Sequence, residues 1–281
     1  VSVTVREPNL ILSVSETSDA QLEAGDPITF VVTVNNPAGA NAQDANTVAI
    51  TSSFTSNLSN LNIVNAQQTG GATGGSFAIV GNNLQTNTPA SMPIGSQIVL
   101  TISAEVNNTA APASLARMQS GVTWRNAANV SLPRYSKSDS IDTSIASVFT
   151  VTKAIVPAAS TVSAGQTVTY TLEVEVIEGS TSNIVLTDTL PVGMSYEVGS
   201  GAILSNGGIT LNNFTVTSVG QTVIFRVDPA TNPGSYPGDG LDTDNFSLVY
   251  RATVGQNVPS GTALTNDVDA TASPNLSDSD N

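Results

Sequence analysis

The chain of 281 residues contains no cysteine and no histidine, and only 8 of its residues are lysine or arginine. Without cysteine there is no disulfide framework, no thiolate nucleophile and no cysteine-held metal. Without histidine there is no Ser-His-Asp triad and no imidazole ligand for zinc. This inventory excludes most common enzyme chemistries, and the chain reads as a protein that is not an enzyme. The scarcity of basic residues leaves 22 acidic ones in excess and a net charge of −14, although charged residues make up only 11% of the chain. Nucleic-acid binding requires a basic footprint to neutralise phosphates, and an anionic membrane surface asks for the same. Neither partner is expected. Long apolar runs are missing as well: nothing approaches the ~20 consecutive apolar residues of a spanning helix, so this segment inserts into no membrane.

What is present is 40% hydrophobic, with aromatics at 5%, and rich in Thr, Ser, Asn, Val and Gly, the usage of short strands joined by polar turns. The apolar signal has period two, as a half-buried strand requires. Val168, Tyr170, Leu172, Val174 and Val176 alternate with Thr169, Thr171, Glu173 and Glu175, and Ile28, Phe30, Val32 and Val34 repeat the pattern earlier. Similar runs at 98–106, 121–132, 223–227 and 246–254 are separated by Gly, Pro, Asn and Ser clusters. At roughly 100–200 residues per domain the length fits two domains. The expectation is an all-β protein of two tandem immunoglobulin-like β-sandwich domains, each of seven or so strands.

Internal repetition supports that count. Ala24-Gly25 with Ile28-Thr29-Phe30 matches Ala164-Gly165 with Val168-Thr169-Tyr170, an offset of 140. Ser120-Gly121 with Asn126 matches Ser260-Gly261 with Asn266 at the same offset. The predicted domains are 1–140 and 141–281. The stretch Pro133 to Asp142 reads as a linker, and its echo from Pro274 to Asn281 suggests that a further unit follows in a tandem array.

In the second half, Gly165-Gln166-Thr167-Val168-Thr169-Tyr170-Thr171 is followed by Thr187-Asp188-Thr189-Leu190-Pro191-Val192-Gly193 and by Leu264-Thr265-Asn266. In these motifs the region 146–273 resembles the DUF11 repeat of bacterial surface proteins. The first half is a degenerate copy, with Ile50-Thr51-Ser52-Ser53-Phe54 in place of the Thr-Asp-Thr-Leu-Pro motif. The resemblance implies an extracellular location on a bacterial cell surface, in stalks, sheaths, surface-layer proteins or adhesins. Its partners would be neighbouring copies of itself or further repeats of the same chain.

Parity puts three polar residues on apolar faces: Lys153 with Phe149, Val151 and Ile155; Asp188 with Ile184, Leu186 and Leu190; Asn266 with Leu264 and Val268. An unpaired ammonium in an apolar interior is unstable, so the three are expected to meet. The trio resembles that of Gram-positive pilin and adhesin domains, in which Lys and Asn side chains join in an isopeptide bond assisted by a buried carboxyl. That resemblance makes Lys153 a nucleophile and Asp188 the acid that polarises the Asn266 carbonyl. An ordinary ion pair hydrogen-bonded to an asparagine is the alternative, and a register slip of one residue would turn all three outward. In the first half the matching positions fall near Ser13 and Ser52, so no such bond forms there.

The densest acidic loop runs from Asp228 through Asp239, Asp242, Asp244 and Asn245. Calcium takes six to eight oxygens from such groups, so these residues are candidate calcium ligands, as are Asp139 and Asp142 in the predicted linker. No other cofactor is expected. The run Thr69 to Gly75 is glycine-rich but lacks the Lys-Ser/Thr ending of a phosphate loop and reads as a hairpin. The leading functional reading is a spacer or self-assembling building block. The alternative is an adhesin-type module recognising glycans or a host protein through loops 66–76 or 228–245, where Tyr236 is the only obvious aromatic platform.

Overall fold

The computed structural model describes residues 3, 6–18, 20–40, 42–126, 134–156, 158, 161–234 and 242–280. Among these, all regular secondary structure is β-strand. The chain divides into two compact units: unit 1 holds Val1–Leu22, Asp26–Asn107 and Ser114–Ser144, and unit 2 holds Glu23–Gly25, Asn108–Ala113 and Ile145–Asn281. The main division therefore falls after Ser144, with two short segments of the first half grouped with unit 2.

Unit 1 begins with β1 (Ile11–Thr17), β2 (Pro27–Asn35), β3 (Ala45–Phe54), β4 (Leu58–Thr69) and β5 (Ser76–Val80). It continues with β6 (Asn83–Thr88), β7 (Ala90–Met92), β8 (Gln97–Val106), β9 (Leu115–Arg125) and β10 (Tyr135–Ser144). One sheet has the order β1-β2-β8-β4, and the other β10-β9-β3-β6-β5 with β7 also on β3. Alternation decides which residues face inward. Ile28, Phe30, Val32 and Val34 of β2 and Ile98, Leu100, Ile102 and Val106 of β8 are buried, because successive side chains of a strand point to opposite faces. Phe30 meets Phe54 of the other sheet edge-on, with ring centroids 5.6 Å apart. The indole N–H of Trp124 donates to the Pro8 carbonyl at 3.1 Å, the polar partner that a buried tryptophan needs.

Unit 2 comprises β11 (Phe149–Val156), β12 (Thr167–Ile177), β13 (Gly179–Thr189), β14 (Met194–Tyr196), β15 (Ala202–Ser205) and β16 (Thr210–Leu211). After these come β17 (Thr215–Val219), β18 (Thr222–Val227), β19 (Ala230–Asn232), β20 (Thr243–Val254), β21 (Asp267–Ser273) and β22 (Leu276–Asp280). The order β11-β12-β20-β14, with β15 also on β20, forms one sheet. The other is β16-β19-β13-β18-β17, with β21 on β13 and β22 on β21. Inward residues of both sheets, among them Leu172, Val174, Leu186, Phe225, Phe246 and Leu248, make one core. Each unit is thus a β-sandwich, with more and shorter strands than the expected seven, because glycine- and asparagine-rich turns divide its edges.

The duplication is visible in register. Thr29 opposite Ser103 in unit 1 corresponds to Thr169 opposite Arg251 in unit 2. Gly25 and Gly165, turn residues of matching place, have φ of 89° and 80°, a region that side chains disfavour. The closing half of the repeat differs from the sequence expectation. Ser120-Gly121 lies inside β9, whereas Ser260-Gly261 lies in the turn before β21, so the offset of 140 fails there. In the first half of the chain the place of Gly261 is taken by Ala113, with φ of 58° against 83°.

The predicted linker is also corrected. Residues 135–144 form β10, paired with β9 from Tyr135 opposite Trp124 to Ser144 opposite Leu115. Its echo forms β22, paired with β21. Ser and Asp at alternate positions give these strands a linker-like composition, yet their carboxylates close the sandwich. The Val14 amide donates to Asp139 Oδ2 at 3.0 Å, and the Lys153 amide donates to Asp280 Oδ2 at 2.6 Å. Val14 and Lys153 are equivalent, since they pair with Val32 and Leu172. Asp278 Oδ2 accepts the Val151 amide at 2.8 Å in the same way.

Phe30 is fully buried, and large aromatic-to-alanine changes in cores remove about 3–5 kcal/mol. Phe30→Ala should lower the stability of unit 1 by that amount in urea denaturation; a midpoint within error of the parent would contradict the packing described.

Candidate functional site

β11 turns Lys153 inward opposite Leu172, and its side chain is 3% exposed. It reaches Asp188 of β13, whose side chain is 0% exposed, with Nζ 2.7 Å from Oδ2. Asp188 is held between Val223 of β18 and Val268 of β21, and its inward neighbours Leu186 and Leu190 are buried. Asn266 sits one residue before β21 and is buried. Its Nδ2 donates to the Tyr250 hydroxyl at 2.7 Å. Lys153, Asp188 and Asn266 are therefore brought into one cluster, as parity predicts.

Two tyrosines complete the cluster. Tyr170 of β12 and Tyr250 of β20 are cross-strand partners, with rings stacked at 5.1 Å. Lys153 Nζ lies 5.3 Å from the Tyr170 ring centroid, within cation–π range. Phe225 packs on Tyr250 with centroids 5.5 Å apart. Residues 246, 248, 250, 252 and 254 of β20 all point inward. A tyrosine at such parity carries a hydroxyl that needs a buried partner, and that is the sequence signal by which Tyr250 is identifiable.

The electrostatics favour the uncharged forms. Burial pushes the Lys153 amine below its usual value, opposed chiefly by Asp188 and more weakly by Asp267 and Asp280. Burial pushes the Asp188 carboxyl up, opposed by Lys153, Tyr250 and Asn266. The Tyr250 hydroxyl is raised by burial and by the nearby Asp188, so it stays protonated. Lys153 and Asp188 meet off-axis, without a conventional hydrogen bond, and Asn266 Oδ1 is buried without a hydrogen-bond partner. Desolvation of this kind disfavours both ions and is opposed by their mutual attraction. An amine, a carboxyl group and a carboxamide are thus gathered in one buried cluster, the parts that transamidation requires.

Unit 1 lacks every part. Val14 stands where Lys153 does, Ile102 where Tyr250 does, and the buried Met118 where Asn266 does. Ser52, at the place of Asp188, shares a hydrogen bond with Ser120 at 2.7 Å between hydroxyl oxygens.

The calcium candidates do not converge. Asp139 accepts the Val14 and Ser140 amides, and Asp142 is forked by Arg117, with Nη2 to Oδ2 at 2.7 Å. Both are strand residues of unit 1, not linker ligands. Asp228 accepts the Asn183 amide at 2.9 Å, Asp244 is exposed on β20, and Asn245 donates to Glu173 at 2.8 Å. Asp239, like Tyr236, lies outside the described residues. Asp242 alone joins an acidic group, with Glu23 and Glu178, all within unit 2. Its own amide donates to Glu23 Oε1 at 3.0 Å. Three convergent carboxylates carry no metal assignment by themselves. A cavity of about 790 Å³ in unit 2 is lined by Tyr170, Met194, Val258, Leu264 and other uncharged residues, and it gathers no catalytic carboxylates. The run Thr69 to Gly75 starts on the last residue of β4 and makes the connection to β5, not a phosphate loop.

No protein-family model and no curated protein sequence matches the chain, so the DUF11 resemblance rests on the quoted motifs alone. Among solved structures, the chain is similar to the C-terminal domain of the AgI/II polypeptide BspA of Streptococcus agalactiae, at 12% identity and a TM-score of 0.36, over 95% of this chain and 99% of that one. It is also similar to BcpA, the major pilin subunit of Bacillus cereus, at 11% identity and 0.39, over 96% and 68% of the two chains. The 35 kDa C-terminal fragment of the major pilin GBS80 of S. agalactiae gives 9% and 0.39, over 96% and 90%. With scores below 0.5, the fold assignment rests on the strand pairings above.

Removing the partner of a buried polar group leaves that group unsatisfied and costs about 1–3 kcal/mol. Asp188→Ala should destabilise unit 2 by that amount in chemical denaturation. An unchanged unfolding midpoint would show that Lys153 does not depend on this carboxyl.

Proposed function

We propose that this chain is a structural, non-enzymatic segment of an extracellular bacterial surface or filament protein, in which Lys153 and Asn266 of unit 2 condense into an intramolecular amide. The observation that carries this reading is the buried Lys153 amine against Asp188, with the Asn266 carboxamide in the same closed cluster. The DUF11-like motifs and the absence of cysteine and histidine support a mechanical role on a cell surface, as a spacer or self-assembling block that adjoins further repeats or copies of itself.

The chemistry follows from the environment. Proton transfer from Lys153 to Asp188 gives a neutral amine, which is nucleophilic, and a carboxylic acid, which polarises the Asn266 carbonyl. The Nζ–Cγ bond forms, the Cγ–Nδ2 bond breaks, one proton passes from Nζ to Nδ2, and ammonia leaves. No oxidant, metal or cofactor takes part. The product closes a loop of 266 − 153 = 113 residues. For comparison, cross-linking a loop of about 100 residues contributes up to about 5 kcal/mol in the chain-entropy account. Tension applied along the chain would pass through the amide, and residues 154–265 would be shielded from it.

The pH dependence has a definite shape, because the ion pair and the neutral pair hold the same number of protons. Below the titration range of the pair, Lys153 stays an ammonium and the nucleophile is lost. Above it, Asp188 stays a carboxylate and the acid is lost. The rate of amide formation should show a plateau between these limits and fall on both sides.

Intact mass spectrometry of the denatured chain tests the reading. The mass should fall short of the sequence mass by one ammonia, and Lys153→Ala should restore agreement with its own sequence mass. A parent protein at full mass would remove the proposal.

A further inference from the structure

We propose that Tyr250 is a catalytic residue of amide formation, acting as the acid that delivers the proton to the departing nitrogen of Asn266. This inference rests on the Lys153–Asn266 reading above and adds to it a group outside the Lys-Asp-Asn trio. Its basis is a directional contact. Asn266 Nδ2 donates to the Tyr250 hydroxyl at 2.7 Å, so a lone pair of that oxygen faces Nδ2 and its own hydrogen is free to turn elsewhere. The Asp188 carboxyl is near enough to this hydroxyl to raise its pKa, and both carboxyl oxygens are buried without a hydrogen-bond partner, so they are open to the phenol. Tyr250 therefore stands between the carboxyl that takes a proton from Lys153 and the nitrogen that must gain one.

An amide nitrogen leaves poorly unless it is protonated as its bond to carbon breaks, and a positioned acid supplies this at the moment of need. In the sequence of events, Lys153 Nζ adds to Asn266 Cγ, and Nδ2 becomes an sp³ amine whose lone pair faces Tyr250. The phenol gives its proton to Nδ2 as the Cγ–Nδ2 bond opens. Asp188 passes a proton to the phenolate and takes one from Nζ. Tyr250 and Asp188 finish as they began, the amide is neutral, and one molecule of ammonia has formed. Burial keeps the phenol in its protonated form throughout the resting state.

The ring is fixed for this task. It is fully buried, stacked on Tyr170 at 5.1 Å, and packed against Phe225 at 5.5 Å. The hydroxyl is thus placed by the β20 register and by aromatic contacts that survive its removal. Unit 1, which has none of the trio, has Ile102 at this place. An apolar residue suffices for the core there, so the hydroxyl in unit 2 belongs with the polar cluster.

The test follows ammonia loss in time, by intact mass of full-length chain sampled from a pulse-labelled cell-free synthesis. Three proteins are compared: the parent, Tyr250→Phe, and the chain with 3,5-difluorotyrosine at position 250. The Phe variant should lose ammonia roughly 10²-fold more slowly than the parent, while its near-ultraviolet circular dichroism stays native-like. The difluorotyrosine protein, whose phenol is a stronger acid, should lose ammonia faster than the parent on the plateau of the pH–rate profile. A parent that never loses ammonia overturns the amide itself and the relay with it. A parent that reacts, with Tyr250→Phe reacting equally fast, overturns the relay and leaves the amide standing. Should Tyr250→Phe fail to fold, the difluorotyrosine protein decides alone: a plateau rate equal to the parent's overturns the relay.

Discussion

The contact between Lys153 and Asp188 is the interaction on which the rest of unit 2 depends. Two groups that would each be charged in water lie 2.7 Å apart with side chains almost closed to solvent. A buried ion pair is seldom a net source of stability when compared with an apolar replacement, and unit 1 folds the same layers with Val14 and Ser52 at these places. The pair is therefore poorly explained as a stabilising device in its own right. It is better explained by what desolvation does to it, which is to disfavour the charge on both groups in a cluster that also holds a carboxamide. A covalent bond between β11 and the entry to β21 would then turn an unfavourable burial into a mechanical tie.

The two units solve the same problem of edges in one common way and one different way. An open sandwich exposes the outer N–H groups of its first strand, a liability in any sheet. In both units an aspartate on the closing strand accepts one of these groups, Asp139 from Val14 and Asp280 from Lys153. In unit 2 this bond anchors the backbone of the very residue whose side chain enters the core. The last strand thus fixes the position of Lys153 from outside while Asp188 holds its amine from inside. The shared carboxylate bond and the unshared lysine suggest that the edge device is general to the repeat and the reactive cluster is an addition to it.

Local periodicity made the architecture legible. Alternation in β2 and β12 is a property of a single strand, so it can be read without a partner, and the same parity placed Lys153, Asp188 and Asn266 on inward faces. What was not legible depends on partners far away in sequence. The segment 133–142 has the composition of a linker, and the identity of residues 135–142 as strand is fixed by β9 and by a bond from Asp139 to Val14, 125 residues distant. The acidic loop looked self-contained, yet Asp242 finds its carboxylate neighbours in Glu23, 219 residues away, and Glu178. The closing offset of 140 misled because short Ser-Gly and Asn matches recur by chance in a chain so rich in these residues. Tyr250 lay in plain view at an inward position, but its significance comes from the asparagine it meets.

The central claim is a bond, and peptide mapping addresses it most directly. After denaturation and protease digestion, tandem mass spectrometry of the full-length protein should find one branched peptide that joins the segment around Lys153 to the segment around Asn266, lighter than the two together by one ammonia. Recovery of the two as separate linear peptides, with Asn266 intact, would contradict the account.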